Sequence, residues 1–303
     1  MNKSCSIVDL HRQFHIIFFC LIGVGLGGCA TTDIPLEQTH LPAPIKILVL
    51  QSPITINPGR LQKVLAPDTK SKLSVSDEPI AQGVKHSKEH ALAAMKSDLI
   101  KQSGFVVVTP SVEEKQFLNK IQGYNFDTAI SQDAADRIQT TTGADAILRF
   151  GITDYGLTPT SWRTGYITFE VVSTLAIAGI IAYSGSTAAK AAAGAYLAQE
   201  TVEETAESYA GFWALDVVCR PVRIEAELIG LNPVNVLWKY SDTGLSDVSL
   251  SRLTRKVGTG ERDRQLDQST DYAVNDVVTD LSDALKPHNT ESPAERRYLL
   301  FTP

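Results

Sequence analysis

The chain has 303 residues and a formal net charge of −6 at pH 7, and 43% of its residues are hydrophobic. This acidic balance argues against bulk nucleic-acid binding, which needs a concentrated basic face. Cys219 is the one cysteine after residue 29, so the chain beyond that point cannot form an intramolecular disulfide. These properties suit one substantial soluble domain at a membrane surface.

Residues 1–28 have the organisation of a secretory signal peptide. Lys3 and Arg12 supply a sparse basic start, an apolar stretch begins near Phe14, and small residues follow it. The apolar stretch is short against the roughly 20 residues of a membrane-spanning helix, and it runs into glycines that would weaken a helix. We therefore predict a cleaved leader.

The run Leu26-Gly27-Gly28-Cys29 closes the apolar stretch and resembles the lipobox of bacterial lipoproteins. The resemblance implies that the Cys29 sulfur is diacylated, that the chain is cut before Cys29, and that the new amino terminus is acylated. Three acyl chains anchor a protein stably, whereas one alone is marginal. Ala30 follows in place of aspartate, which in enterobacterial lipoproteins implies export to the outer membrane, on its periplasmic side.

Residues 29–44 are predicted to form a lipidated tether, because the segment is polar and holds three prolines. Ile45–Leu50 then reads as a buried strand of aliphatic and β-branched residues. The long polar stretch Gln51–Gln82 contains four more prolines, and we expect it to be mostly loop.

Helix and strand patterns alternate in the next hundred residues. They predict a helix from about Ser87 that ends at Gly104, a strand Phe105–Thr109, a helix Ser131–Thr141 and a strand Ala146–Thr153. A capping-box spacing between Ser111 and Glu114 adds a short helix. This order is typical of an α/β layer.

A hairpin and a last helix complete the predicted domain, residues 45–286. Val222–Leu228 and Val236–Tyr240 alternate between apolar and polar residues on either side of Asn232-Pro233, which predicts antiparallel strands with one face toward water. The final helix is predicted over Asp271–Leu285, and residues 287–303 form a polar tail.

Two stretches of the predicted sheet resemble a bacterial family of envelope lipoproteins with a "GADA, apolar strand, TDYG" pattern. Thr142–Leu148 and Ile152–Gly156 carry the pattern, Ala226–Gly230 and Val236–Trp238 stand in the places of the family's hairpin, and Leu231–Asn235 replaces its tight turn. The layout is similar to the group of the curli-secretion lipoprotein, the amino-terminal domain of TolB and the lipoprotein activators of peptidoglycan synthases. The resemblance implies an anticodon-binding-like α/β sandwich, a mixed sheet with helices packed on it, and no catalytic residues.

Residues 166–213 form an apolar insertion beyond what that family leads us to expect. No charged residue occurs between Val171 and Ala189, Ser184–Thr187 interrupts the run, and acidic residues close it. The pattern predicts a helical hairpin. It could dip into the bilayer, build a ring with neighbouring copies, pack as a buried helix pair, or hide an apolar patch in a subunit interface. The short apolar run favours an interface or a core over the bilayer.

The run His86-Ser87-Lys88-Glu89-His90 matches the H-x-x-E-H pattern of inverted zinc peptidases. On a helix, His86 and His90 share a face, and Glu89 could act as a base. The apolar stripe of the same helix, however, predicts that both histidines lie largely toward water. We therefore predict no metal, no cofactor and no catalytic residue, and keep a zinc-dependent hydrolase as an alternative.

Two further features have structural interpretations. Cys219 is predicted to be a small buried apolar residue. The basic-rich stretch Arg252, Arg255, Lys256, Arg262 and Arg264 is interrupted by acidic residues and predicts a solvated face, with contact to an acidic polymer or to lipid headgroups as the alternative.

Together these patterns predict a non-enzymatic outer-membrane lipoprotein that serves envelope assembly or secretion through protein contacts. The expected partners are the membrane, through the lipid anchor, envelope proteins, and further copies of the chain through residues 166–213, but not nucleic acid. The alternative within the binding proteins is a regulator of peptidoglycan synthases.

Overall fold

The computed structural model describes residues 41–52, 64, 77–111, 114, 117–118, 126, 128–166 and 210–285. The described elements are β1 (Ile45–Gln51), α1 (Asp77–Lys101), β2 (Phe105–Val108), α2 (Gln132–Thr142), β3 (Ala146–Tyr155), β4 (Val222–Leu231), β5 (Val234–Gly244), a 3₁₀ turn (Leu250–Leu253) and α3 (Thr259–Ala284). Helical segments 160–166 and 210–218 lie between β3 and β4. The predicted leader, the lipobox Leu26–Cys29, residues 167–209 of the insertion and the tail lie outside the described residues.

The strands form one mixed five-stranded sheet in the order β2-β1-β3-β4-β5. β1 is parallel to β2 and to β3, whereas β4 is antiparallel to β3 and to β5. The α/β prediction is therefore confirmed at the level of a mixed sheet with packed helices. Within the described part of the chain, no helix combines the length and the apolar character needed to cross a membrane.

Helices cover both faces of the sheet. α1 and α3 pack on one face, where Met95 and Leu99 of α1 join Val274 and Leu281 of α3 and side chains such as Phe150. α2 packs on the opposite face with Ile138. Central strand β3 is buried on nearly its whole length, which explains its almost continuous apolar sequence.

The predicted caps of the middle elements are confirmed. Ser131 caps α2, since its hydroxyl accepts a hydrogen bond from the Ala134 N–H at 3.3 Å. Gly143 ends α2 in a left-handed conformation with φ of 68°, which glycine adopts without strain. Ser111 and Glu114 exchange the two reciprocal hydrogen bonds of a capping box.

Helix α1 begins ten residues earlier than predicted, so the loop prediction for Gln51–Gln82 is wrong from Asp77 onward. Pro79 is the third residue of α1. Proline is tolerated in a first helical turn because the backbone N–H it lacks would have no helical acceptor there. A proline that suggests a loop is thus compatible with a helix start.

Helix α3 begins at Thr259 instead of the predicted Asp271. Its added turns bury side chains that were expected to face water: Arg262 is 7% exposed, and Arg252 just before the helix is 6% exposed. The prediction of a solvated basic face is therefore wrong for these two residues.

The predicted hairpin of β4 and β5 is confirmed, with the turn at Asn232-Pro233. Its polar face differs from the prediction at Glu227, which is buried against Arg149 of β3. The cause is the cross-strand register, which places Arg149 directly opposite Glu227.

We name the two ends of the sheet after the chain segments that adjoin them. At the tether pole the chain enters β1 at Ile45, beside the start of β3 at Ala146. At the insertion pole, Tyr155, Val222 and Gly244 are paired neighbours. Segments 160–166 and 210–218, which flank residues 167–209, belong to the insertion pole.

Candidate functional site

The two histidines of the H-x-x-E-H run face α3. The His86 Nε2 lies 3.0 Å from the Asp267 Oδ1, and the His90 Nε2 lies 2.9 Å from the Asp271 Oδ1. The rings stack with centroids 6.0 Å apart. Since each pair of residues is spaced by one helical turn, the four side chains form a ladder that ties α1 to α3.

Glu89 is not part of this ladder. It is exposed and lies 3.9 Å from the Lys85 ammonium on its own helix. The structure therefore brings His86 and His90 together without Glu89, and it pairs the histidines with aspartates that the sequence pattern did not indicate. Within the described ranges, no three histidine, cysteine or acidic side chains are placed to hold a metal ion.

Tyr155 is a buried tyrosine at the end of β3, near the histidine ladder. Burial raises the pKa of its hydroxyl well above the ordinary value, the Asp267 charge raises it further, and a hydrogen bond with Ser87 acts in the opposite direction. The hydroxyl therefore stays protonated at neutral pH, where it can serve as a hydrogen-bond donor.

Asp216 holds the two ends of the insertion together at the insertion pole. Its carboxylate accepts hydrogen bonds from the Thr158 hydroxyl and from the Arg163 guanidinium, both at 2.7 Å. Arg163 also lies over the Phe212 ring at 5.1 Å, and Phe212 meets Tyr166 edge to face. Residues 158–166 and 212–216 are thus held side by side on the body of the domain.

Apolar side chains are exposed around this base. Trp213 is 56% exposed on segment 210–218, and Val248 and Leu250 are each 70% exposed on the loop after β5. The loop is held to the end of that segment because the Ser246 N–H and hydroxyl both donate to the Cys219 carbonyl. The insertion pole therefore presents apolar side chains from two adjacent segments.

Cys219 is buried, as predicted, and burial raises the pKa of its thiol. It lies in the turn after segment 210–218. A protonated, enclosed thiol is a poor nucleophile, so Cys219 acts as a packing residue.

Arg252 is the polar centre of the same corner, a buried role that the sequence pattern did not indicate. Its guanidinium donates to the Val218 carbonyl at 2.8 Å, to both carboxylate oxygens of Asp247 at 3.1 Å and to Glu261 at 3.0 Å. Hydrogen bonds from Arg255 and Arg252 lower the pKa of Glu261 to about 2. The acidic residues that interrupt the basic stretch were the available signal, because they are the partners of its arginines.

An open groove of about 590 Å³ lies between α2 and residues 111–118. Its charged lining is already engaged: Glu114 caps Ser111, Asp136 accepts from Gln132, and Arg137 stacks over Phe117. The charged side chains that line the groove are therefore not available to bind a ligand.

Comparison with known proteins assigns no family to this chain. No family model matches the sequence, and no curated protein is significantly similar to it. Among solved structures, lipoprotein GNA1162 from Neisseria meningitidis matches with a TM-score of 0.32 and 14% identity, over 79% of this chain and 99% of that one. The hypothetical protein CT253 from Chlamydia trachomatis matches with a TM-score of 0.33 and 9% identity, over 79% of this chain and 97% of that one. TM-scores this low do not establish a common fold, so these two likenesses leave family and function open.

Proposed function

We propose that this protein is a non-enzymatic, lipid-anchored accessory of envelope assembly or secretion, facing the periplasm from the outer membrane. It works through protein contacts at the insertion pole, first with a second copy of the same chain. The finer assignment to an anticodon-binding-like sandwich belongs to the same proposal, and the mixed sheet with helices on both faces is compatible with it.

The observation that carries the proposal is the position of the apolar surface. Trp213, Val248 and Leu250 are exposed at the insertion pole, and the charge-free sequence Val171–Ala189 belongs to the insertion that leaves the domain there. Exposed apolar side chains next to a further apolar segment are typical of a protein-interaction surface. Each copy carries the same apolar segment, so a two-fold contact between copies would cover both.

The anchor supports this arrangement. If Cys29 is lipidated, the tether enters the domain at Ile45, on the tether pole, whereas the insertion leaves from the other end of β3. β3 has ten residues, so the poles are about 30 Å apart. The insertion pole is therefore free to meet a partner protein away from the leaflet that holds the anchor.

The test compares lipid-free protein from residue 30 onward with a variant in which Val172–Ala198 is replaced by a glycine-serine linker of equal length. We expect the variant to keep its circular dichroism spectrum and its solubility, and to show a smaller mass by light scattering. An equal mass for the two proteins, both folded, would contradict self-association through the insertion.

Point substitutions provide a matched pair for the same measurement. Trp213→Ser removes an exposed aromatic ring at the insertion pole, and Tyr272→Ser removes one that is 50% exposed on α3. We expect Trp213→Ser to weaken the association by about tenfold, which corresponds to about 1.4 kcal/mol, and Tyr272→Ser to leave it unchanged. Equal effects of the two substitutions would contradict the proposed location.

A further inference from the structure

Three arginines converge at the insertion pole, beside the base of the insertion. Arg220 follows segment 210–218, Arg252 belongs to the 3₁₀ turn, and Arg262 lies in the first turn of α3. Shared contacts hold these elements together, because Arg252 and Gln265 both donate to the Val218 carbonyl, at 2.8 and 3.0 Å.

Three of the neighbouring carboxylates are already committed to other cations, whereas the fourth, Asp263, is exposed on α3. Glu261 binds Arg252 and Arg255, Asp247 binds Arg252, and Asp216 binds Arg163. Arg252 is thereby fully paired and acts as a structural residue. Two guanidinium groups remain in the corner, those of Arg220 and Arg262. Neither of them is paired with these three carboxylates.

Arg220 is held in an unfavourable environment. Its Nε is buried without a hydrogen-bond partner, and its backbone has a φ of 43°, in the left-handed region that non-glycine residues rarely adopt. Burial first, and then the charges of Arg262 and Arg252, lower the pKa of Arg220 to about 10, although Asp216 and Asp263 act in the opposite direction. A buried cation beside like charges is costly unless an anion compensates it.

Arg262 adds a second cation close to Arg220. Its side chain is 7% exposed, and across the described residues it shows neither a hydrogen bond nor an ion pair. Gln265, one turn further along α3, has a buried Oε1 without a partner, while its Nε2 is bound to the Val217 and Val218 carbonyls. The corner therefore offers one buried unpaired donor, the Arg220 Nε, one buried unpaired acceptor, the Gln265 Oε1, and a second guanidinium group, that of Arg262.

We propose that Arg220 and Arg262 bind a phosphate group at the insertion pole, with Gln265 accepting a hydrogen bond from its P–OH. Guanidinium groups match the geometry of phosphate oxygens and form charge-assisted hydrogen bonds with them. Monohydrogen phosphate fits both kinds of unpaired atom, since it accepts from arginines and donates through its own hydroxyl. A carboxylate or a sulfate dianion has no such proton to donate.

The test uses the lipid-free protein from residue 30 onward and inorganic phosphate, measured by isothermal titration calorimetry and by thermal unfolding. At equal ionic strength, we expect phosphate to raise the unfolding temperature, sulfate to raise it less, and acetate and chloride to leave it unchanged. No stabilisation by phosphate beyond that by chloride would overturn the proposal.

Variants locate the site. The Arg262→Gln variant should keep the circular dichroism spectrum of the parent protein and bind phosphate at least tenfold more weakly. Arg264 lies two residues further along α3 and is exposed, so the Arg264→Gln variant should bind phosphate like the parent protein. If the Arg262→Gln variant does not fold, the Arg220→Gln variant removes the other cation of the site and tests the same prediction. Equal phosphate affinity in the parent protein and in a folded Arg262→Gln or Arg220→Gln variant would overturn the assignment.

The source of the phosphate group is distinguished by vesicle flotation. Binding of the parent protein to phosphatidylcholine vesicles that contain phosphatidic acid, lost in Arg262→Gln, would identify a lipid headgroup. Binding of inorganic phosphate without vesicle binding would identify a soluble phosphate compound.

Discussion

Arg149 and Glu227 form a charged pair in the centre of the α2 face of the sheet. Their side chains are 3% and 4% exposed. The Arg149 Nε donates to Glu227 at 2.5 Å, Nη1 donates to the Thr128 carbonyl at 2.8 Å, and the guanidinium lies over the Phe126 ring. Buried ion pairs tolerate the loss of both charges better than the loss of one, because one removal leaves the other charge without compensation.

We predict that Arg149→Met lowers the free energy of unfolding by about 3–5 kcal/mol. The double variant Arg149→Met with Glu227→Leu should be more stable than Arg149→Met alone, since no charge is then left buried. Urea unfolding measures both. Arg223→Met, at a half-buried site of β4, is the control and should change stability by less than about 1 kcal/mol. Additive losses in the double variant would contradict this account.

Asp276 of α3 lies beside Asp242 of β5. Burial, the hydrogen bond with Asp242 and the negative charge of Asp242 together raise the pKa of Asp276 to about 6. The folded state therefore binds a proton that the unfolded state has already released between about pH 4 and 6. Because the folded state holds more protons in this window, stability falls as the pH rises through it.

We predict that Asp276→Asn stabilises the protein above pH 6 and not below pH 4. Solvent screens this exposed carboxyl, so the gain should stay below about 1 kcal/mol. Thermal unfolding of both proteins at pH 3.5 and pH 7.5 measures it. An equal gain at the two pH values would show that the effect does not come from the carboxyl pair.

The sequence allowed His86 and His90 to be grouped, because their spacing is local and the helix period places them on one face. Their partners Asp267 and Asp271 are 181 residues away in each case, so only tertiary packing reveals them. The corner of Arg220, Arg252 and Arg262 was missed for the same reason, since its three side chains come from three separate elements.

At the scale of elements, α3 packs against β5 backbone to backbone at Gly244. A Cβ atom there would lie 1.9 Å from the Ser269 carbonyl oxygen and 2.5 Å from the Ala273 nitrogen. Neither atom can move without displacing the helix. The crossing of α3 over β5 therefore depends on the absence of a side chain at this position.

We predict that Gly244→Ala destabilises the protein by about 3 kcal/mol or more, because a helix backbone must shift to admit the methyl group. Gly104→Ala is the matched control, since nothing lies within 4 Å of the added Cβ. Its effect should stay within about 0.5 kcal/mol. Chemical unfolding compares the two, and similar losses would contradict the proposed close contact.

Element types were readable from the sequence where periodicity and caps agree, as in α2 between Ser131 and Gly143. The residues at which the helices begin were predicted less accurately. Both long helices begin ten or more residues before their apolar stripe becomes clear, at Asp77 and Thr259. Their first turns are polar and include a proline or glycine, and tertiary packing rather than local propensity extends them.

At the scale of the whole molecule, the alternation of strands and helices indicated the α/β class correctly. The strand order, with β1 between β2 and β3, was not predicted, because it depends on contacts between distant segments. The lipobox and residues 167–209 remain sequence predictions, since they lie outside the described part of the chain.

We predict that the native protein, purified from cell envelopes, begins at Cys29 and carries three acyl chains, as mass spectrometry of its amino-terminal peptide would show. Cys29→Ser should abolish acylation, whereas Cys219→Ser should leave it intact because Cys219 is enclosed in the domain. An unmodified thiol at Cys29 with residues 1–28 still attached would contradict both the lipidation and the proposed location.

The opposite placement of the two poles has a consequence for how the molecule could change during evolution. If the chain is anchored at Cys29 and associates through the insertion, as proposed, reach above the bilayer and choice of partner are set by different stretches of chain, one before Ile45 and the other between residues 166 and 210. Sixteen tether residues span at most about 55 Å when extended, and lengthening or shortening them alters height without touching the recognition surface. Homologues should accordingly vary these two stretches independently of each other.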